Sequence, residues 1–169
     1  MKIKNFIKTA LIALGLVFLA IQLIHPEKNI SGLNAQSIDK KFPVNAEVAA
    51  VLKTACNDCH SNTTQYPWYS NIQPIAWYLN DHVVDGKKHL NFDEFLSYPL
   101  DRQYEKLEEI DEMIVEDEMP LTSYTIIHTN AKMTEAQKEM LIQWSKNMRD
   151  SMETWYSANS LISHKEEND

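Results

Sequence analysis

Both cysteines of this 169-residue chain fall in one five-residue stretch, Cys56-Asn57-Asp58-Cys59-His60. Two cysteines cannot build a multi-disulfide scaffold, and this C-x-x-C-H spacing is that of covalent haem attachment. Residues three apart on a helix share a face, so both thiols can reach the two vinyl groups of one porphyrin. The residue that follows offers an imidazole as the proximal ligand of the iron. Two other uses of the motif are less well served. A thioredoxin-like pair or structural disulfide wants a βαβ context, and zinc wants a second close pair of ligands.

The first 24 residues read as an export segment. Lys2, Lys4 and Lys8 precede an uncharged run from Thr9 to Ile24, which as a helix spans ~24 Å. That is long for a signal-peptide core and short for a full span, so an uncleaved signal-anchor and a cleaved signal both stay open. Leu33-Asn34-Ala35 is a poor cleavage site, which favours the anchor. The lysines place the N-terminus in the cytoplasm and the remainder on the periplasmic side of a bacterial inner membrane. Residues 25–43 are polar, bounded by prolines and without period, as expected of a linker; 157–169 read as a polar tail. The domain is then 44–156.

Within 44–156 the hydrophobic period is helical, and no run alternates as a strand does. Asn45 is placed to cap a helix carrying Val48, Val51, Leu52, Ala55 and Cys59. Pro74 starts a second, with Ile75, Tyr78, Leu79, His82 and Val83 on one side and Gly86 as its stop. Asn91 caps a short turn through Phe92 and Phe95. Asp101 opens a third helix, through Tyr104, Leu107, Ile110 and Ile114, which Pro120 ends. Thr134 and Gln137 form a capping box for the last, whose stripe is Leu141, Trp144, Met148, Met152 and Trp155. The expected fold is all-α, a small cytochrome-c-like helical domain.

Gly15, Gly32 and Gly86 are the only glycines, so no GxGxxG or GxxxxGK[ST] phosphate loop can be assembled. The net charge of −8 argues against a nucleic-acid binder, which needs a basic face. Residues 105–118 hold eight acids and one lysine. They read first as a solvated helix face and second as a docking patch for a basic redox partner. No carboxylate pair is placed for acid–base catalysis.

A low-spin electron carrier needs a second axial ligand. Met119, before Pro120 on irregular backbone, is the first candidate and His128 the alternative. His82 follows, and on the inner face of its helix it reads more readily as a core histidine. Aromatic residues beside the motif are expected to wall the porphyrin, with Trp68 or Trp77 in contact with it.

Taken together, helix, CxxCH, Met-Pro and the Thr134–Trp144 helix pattern resemble the class I cytochrome c core. A closer resemblance is to the haem-binding-domain family of exported bacterial proteins. It is carried by Cys56-Asn57-Asp58-Cys59-His60-Ser61-Asn62, Pro67-Trp68-Tyr69-Ser70, Asn91-Phe92 with Phe95, Met119-Pro120, Tyr124, His128 and the Leu141–Trp144 helix, over residues 44–146. The resemblance implies one covalent haem c, with Cys56 and Cys59 as thioether donors and His60 as proximal ligand. The cytochrome pattern adds Met119 as distal ligand, although Leu121 stands where a second proline often follows. The leading function is single-electron transfer by a membrane-tethered c-type cytochrome. The alternatives are a peroxidase-type haem enzyme and a haem-based sensor.

Overall fold

The computed structural model describes residues 2–32 and 35–162. Leu33 and Asn34 of the expected cleavage triplet, and residues 163–169 of the expected tail, lie outside them. Seven α-helices and five short 3-10 turns account for the regular structure among the described residues, with no strand. The all-α expectation holds.

Helix α1 (Lys2–Ile21) has no buried residue and is long and apolar enough to cross a membrane. Helix α2 (Ala46–Ala55) starts as its sequence predicts: the Asn45 side chain accepts the Val48 N–H at 2.8 Å. One helical face of α2, Val48, Val51 and Leu52, is buried. The single-turn α3 (Asn57–His60) follows directly, so the CxxCH residues lie on two short helical pieces meeting at Cys56. Then come α4 (Ile75–His89), α5 (Leu100–Val115), the single-turn α6 (Thr122–Thr125) and α7 (Glu135–Trp155).

The core lies chiefly between α5 and α7. Leu107 and Ile114 meet Leu141, Met148 and Met152, with α2 and the Phe42 and Phe95 rings closing the ends. Each such side chain, fully buried, contributes about 1.5–3 kcal/mol of transfer free energy. The Thr134–Gln137 capping box is present, its backbone arms at 2.9 and 3.3 Å. Four of the five predicted α7 stripe residues are buried; Trp155 is half exposed and stacks on Phe42 at 5.9 Å. The acidic helix is not uniformly solvated. Asp111 accepts from Ser145 and pairs with Arg149, tying α5 to α7.

Helices α4 and α5 end elsewhere than the sequence reading places them. Helix α4 runs past Gly86 to His89 and ends where Leu90 turns extended. Helix α5 ends at Val115, well before Pro120: Asp117 takes a left-handed φ of 57°, and the Glu118 and Met119 N–H groups both return to the Met113 carbonyl. Asn91 caps its turn as expected, its Oδ1 accepting the Asp93 N–H and its carbonyl the Glu94 N–H, both at 3.1 Å, and it is buried as well. The 25–43 segment is not a free linker. Ile38 and Phe42 are buried in the core, and Asn29 bonds Ser61, Thr64 and Tyr66. Its polar side chains find partners on the domain, which is why polarity alone misled. Leu161, in the expected tail, is buried as well.

Candidate functional site

The CxxCH turn is held from both sides. Below it, residues 60–62 are hydrogen-bonded to residues 90–93. His60 Nδ1 lies 3.0 Å from the Leu90 carbonyl oxygen, and the Phe92 N–H donates to the His60 carbonyl at 2.8 Å. The Asn62 N–H donates to Asp93 Oδ2 at 2.7 Å, and Asn91 Nδ2 donates to Asn62 Oδ1 at 2.9 Å, all among buried groups. This is what buries Asn91: it pins two distant segments together. Alongside, α4 comes so close that a Cβ on Gly86 would sit 2.7 Å from the Cys59 carbonyl oxygen. Only glycine permits that approach.

A carbonyl oxygen can only accept, so His60 carries its proton on Nδ1 and leaves the Nε2 lone pair free. Burial lowers the His60 pKa and outweighs the backbone contacts that raise it, so the ring is held neutral. Cys56 and Cys59 are free thiols, pushed up to about 12 and about 11, chiefly by burial. Cys56 packs against the core, while Cys59 opens onto a cavity.

That open cavity lies between α3, α4, the 64–69 loop and α6. The face of α4 predicted as core, Ile75, Tyr78, Leu79, His82 and Val83, lines it instead, and Ile75 and Tyr78 remain 42% and 50% exposed. Opposite stand Tyr69, Tyr124 and His128. His128 Nδ1 faces the Tyr124 carbonyl at 3.1 Å and therefore donates; its Nε2 accepts from the Tyr69 hydroxyl at 2.9 Å. Tyr124 stacks on His128 at 4.1 Å and donates its hydroxyl to Asp58 Oδ2 at 2.7 Å. Burial first, and the Asp58 carboxylate second, raise the pKa of both tyrosines, which therefore stay protonated donors.

Of the attachment residues, Cys59 lines this cavity and Cys56 and His60 do not; the other sequence candidates lie elsewhere. Met119 is half-buried and does not line the cavity; Leu121, two residues on, does. Trp68 is 77% exposed, and Trp77 donates Nε1–H to the Ile24 carbonyl at 3.1 Å; neither reaches the cavity wall. The 3-10 turn Trp68–Asn71 sends Tyr69 inward and Trp68 out, so the aromatic wall is made of tyrosines. A second open groove, between the 43–48 segment and α7, is lined by no thiol, imidazole or charged side chain.

The sequence profile of a haem-binding domain matches residues 16–147, more than three quarters of the chain. The chain belongs to the haem-binding domain family. No curated protein and no solved structure matches it.

The residues present fit a haem. A metal-bound histidine commonly donates its other ring N–H to a backbone carbonyl, which fixes tautomer and orientation, and His60 does this to Leu90. A neutral imidazole with a free Nε2, two unpaired thiols and an apolar cavity beside one of them form the donor set of a haem-binding domain. Sequence reasoning did not find Gly86, Leu90 and Asp93 as supports, because each acts on a partner some 30 residues away. Asp58, inside the motif itself, was passed over although it anchors Tyr124.

Proposed function

We propose that this haem-binding domain is an exported, membrane-tethered c-type protein that carries single electrons. The observation that carries the reading is the His60 ring, locked by Leu90 with Nε2 free, directly after two unpaired cysteines. Cys56 and Cys59 would hold one haem through thioether bonds, and His60 would bind its iron. Bound there, haem supplies a one-electron iron couple whose potential depends on axial ligand and burial. The chain's own part is to orient and to shield. Leu90 and Phe92 fix the imidazole, Gly86 holds α4 on the cysteine turn, and Tyr78, Leu79 and Val83 keep water from one side of the cavity. Helix α1, with lysines at its start, would tether the domain on the periplasmic side. The exposed Glu108, Glu112, Glu116 and Glu118 offer a docking surface to a basic redox partner.

One observation favours a second reading, a peroxidase-type haem enzyme. The Tyr69–His128 pair on the cavity wall is able to hold and pass a proton. Redox titration of the holoprotein separates the two. A carrier shows a reversible one-electron transition, and its electron transfer to a polycationic acceptor slows as salt rises. Rapid reaction of the iron with peroxide would overturn the carrier in favour of the enzyme.

A further inference from the structure

Resting on the haem c reading, we propose that the second axial ligand of the iron is His82 of α4. Three side chains compete for that role, and their surroundings differ. Met119 lies off the cavity wall. His128 is on it, but its Nε2, the one nitrogen with a free lone pair, already accepts the Tyr69 hydroxyl. Ligation by His128 would break that bond and leave a half-buried phenol without its acceptor. His82 lines the same cavity as Cys59 and carries no such obstruction. Its Nδ1 faces the Tyr78 carbonyl at 2.8 Å and so donates to it, one helical turn back. The proton is therefore on Nδ1, and Nε2 has no hydrogen-bond partner among the described residues. This is the same support that Leu90 gives His60, a backbone carbonyl setting the tautomer that leaves Nε2 to a metal.

The helix also places His82 at a fixed distance from the attachment turn. Gly86 touches Cys59, and His82 precedes it by four residues, ~6 Å along the axis on the same face. The Tyr78 ring, 4.2 Å from the His82 ring, holds the imidazole from the side. Two histidines, each oriented by a backbone carbonyl, would make a low-spin iron with a lower potential than a histidine–methionine pair.

The test uses the full chain matured with haem. Electronic and electron-paramagnetic spectra of the oxidised protein should show low-spin iron without the sulfur-to-iron charge-transfer band. The reduced protein should not bind carbon monoxide rapidly. His82→Ala should give high-spin iron that takes up carbon monoxide and returns to low spin with added imidazole. His82→Met should make the sulfur-to-iron band appear, a gain that no folding defect mimics. Met119→Leu should leave the spectrum unchanged, and His128→Asn should leave the iron low-spin. The proposal is overturned if the unsubstituted protein shows the sulfur-to-iron band and Met119→Leu abolishes it. It is equally overturned if low-spin iron survives in His82→Ala, or if the unsubstituted iron is already open to carbon monoxide. A chain that carries no covalent haem after maturation fails the parent reading instead, and the haem assay shows which of the two has failed.

Discussion

The two halves of the domain use similar helices to different ends. Around α5 and α7 the apolar stripes close on each other: Leu107, Leu141, Met148 and Met152 are essentially inaccessible, and the Asp111–Arg149 pair ties the two helices. Around α4 and α6 the stripe does not close. Ile75 and Tyr78 stay half exposed along an open cavity, while four polar side chains around it, Asp58, Tyr69, Tyr124 and His128, have specific partners. One half is a core in the ordinary sense. The other holds its walls apart with hydrogen bonds, which is how a chain shapes a site and not how it fills an interior.

Substitutions should separate the halves. The largest effect belongs to the cysteines: Cys56→Ser or Cys59→Ser leaves one thioether at most, and the pair together leaves none, read by mass spectrometry of the matured chain. Next, in the closed half, Leu107→Ala removes a fully buried side chain and should cost about 2–5 kcal/mol in denaturant unfolding. In the open half, Leu79→Ala should cost markedly less, because the side chain faces a cavity. Equal losses at the two sites would erase the distinction. Gly86→Ala sharpens it further. In an exposed helix interior this change stabilises by ~1 kcal/mol, whereas here the new Cβ meets the Cys59 carbonyl oxygen. We expect a loss of about 1–3 kcal/mol and weaker haem incorporation.

Asp111 supplies a pH signature for the closed half. Burial raises its carboxyl above the ordinary range, against the opposing Ser145 hydrogen bond and Arg149 charge. The folded chain therefore holds this proton more tightly than the unfolded one. The group favours folding at acid pH, and that contribution is lost as pH rises through its folded pKa. In Asp111→Asn this component of the slope should vanish from unfolding curves taken across the carboxylate range. The smallest effect is expected at Trp68. Exposed and off the cavity, it should tolerate Ala within about 0.5 kcal/mol and with an unchanged haem spectrum.

What was legible in the sequence divides along the same line. Features that depend on neighbours a few residues away were readable: the Asn45 cap, the Thr134–Gln137 box, the Leu141–Met152 stripe and the CxxCH spacing itself. Features set by distant partners were not. A glycine near the end of an apolar period looks like a helix stop, and only the approach of Cys59, 27 residues upstream, explains why α4 runs through Gly86. Asn91 was readable as a turn cap, but its hold on Asn62, 29 residues away, was not. Residues 25–43 looked like a linker because their polar side chains outnumber Ile38 and Phe42, the two that reach the core. Trp68 and Tyr69 were indistinguishable as neighbours in an aromatic block until a 3-10 turn sent them opposite ways. The same turn places the Tyr69 hydroxyl on His128 and so alters the choice of axial ligand.

The central claim is that Cys56 and Cys59 bind one haem covalently and His60 coordinates its iron. It is tested most directly by acid-acetone extraction of the chain matured in an exporting host, followed by a pyridine haemochrome spectrum of the protein pellet. The account predicts that the colour stays with the polypeptide, at one haem per chain, with the spectrum of a porphyrin whose vinyl groups have both been consumed. Haem that passes into the solvent, or a chain matured without haem, would contradict it.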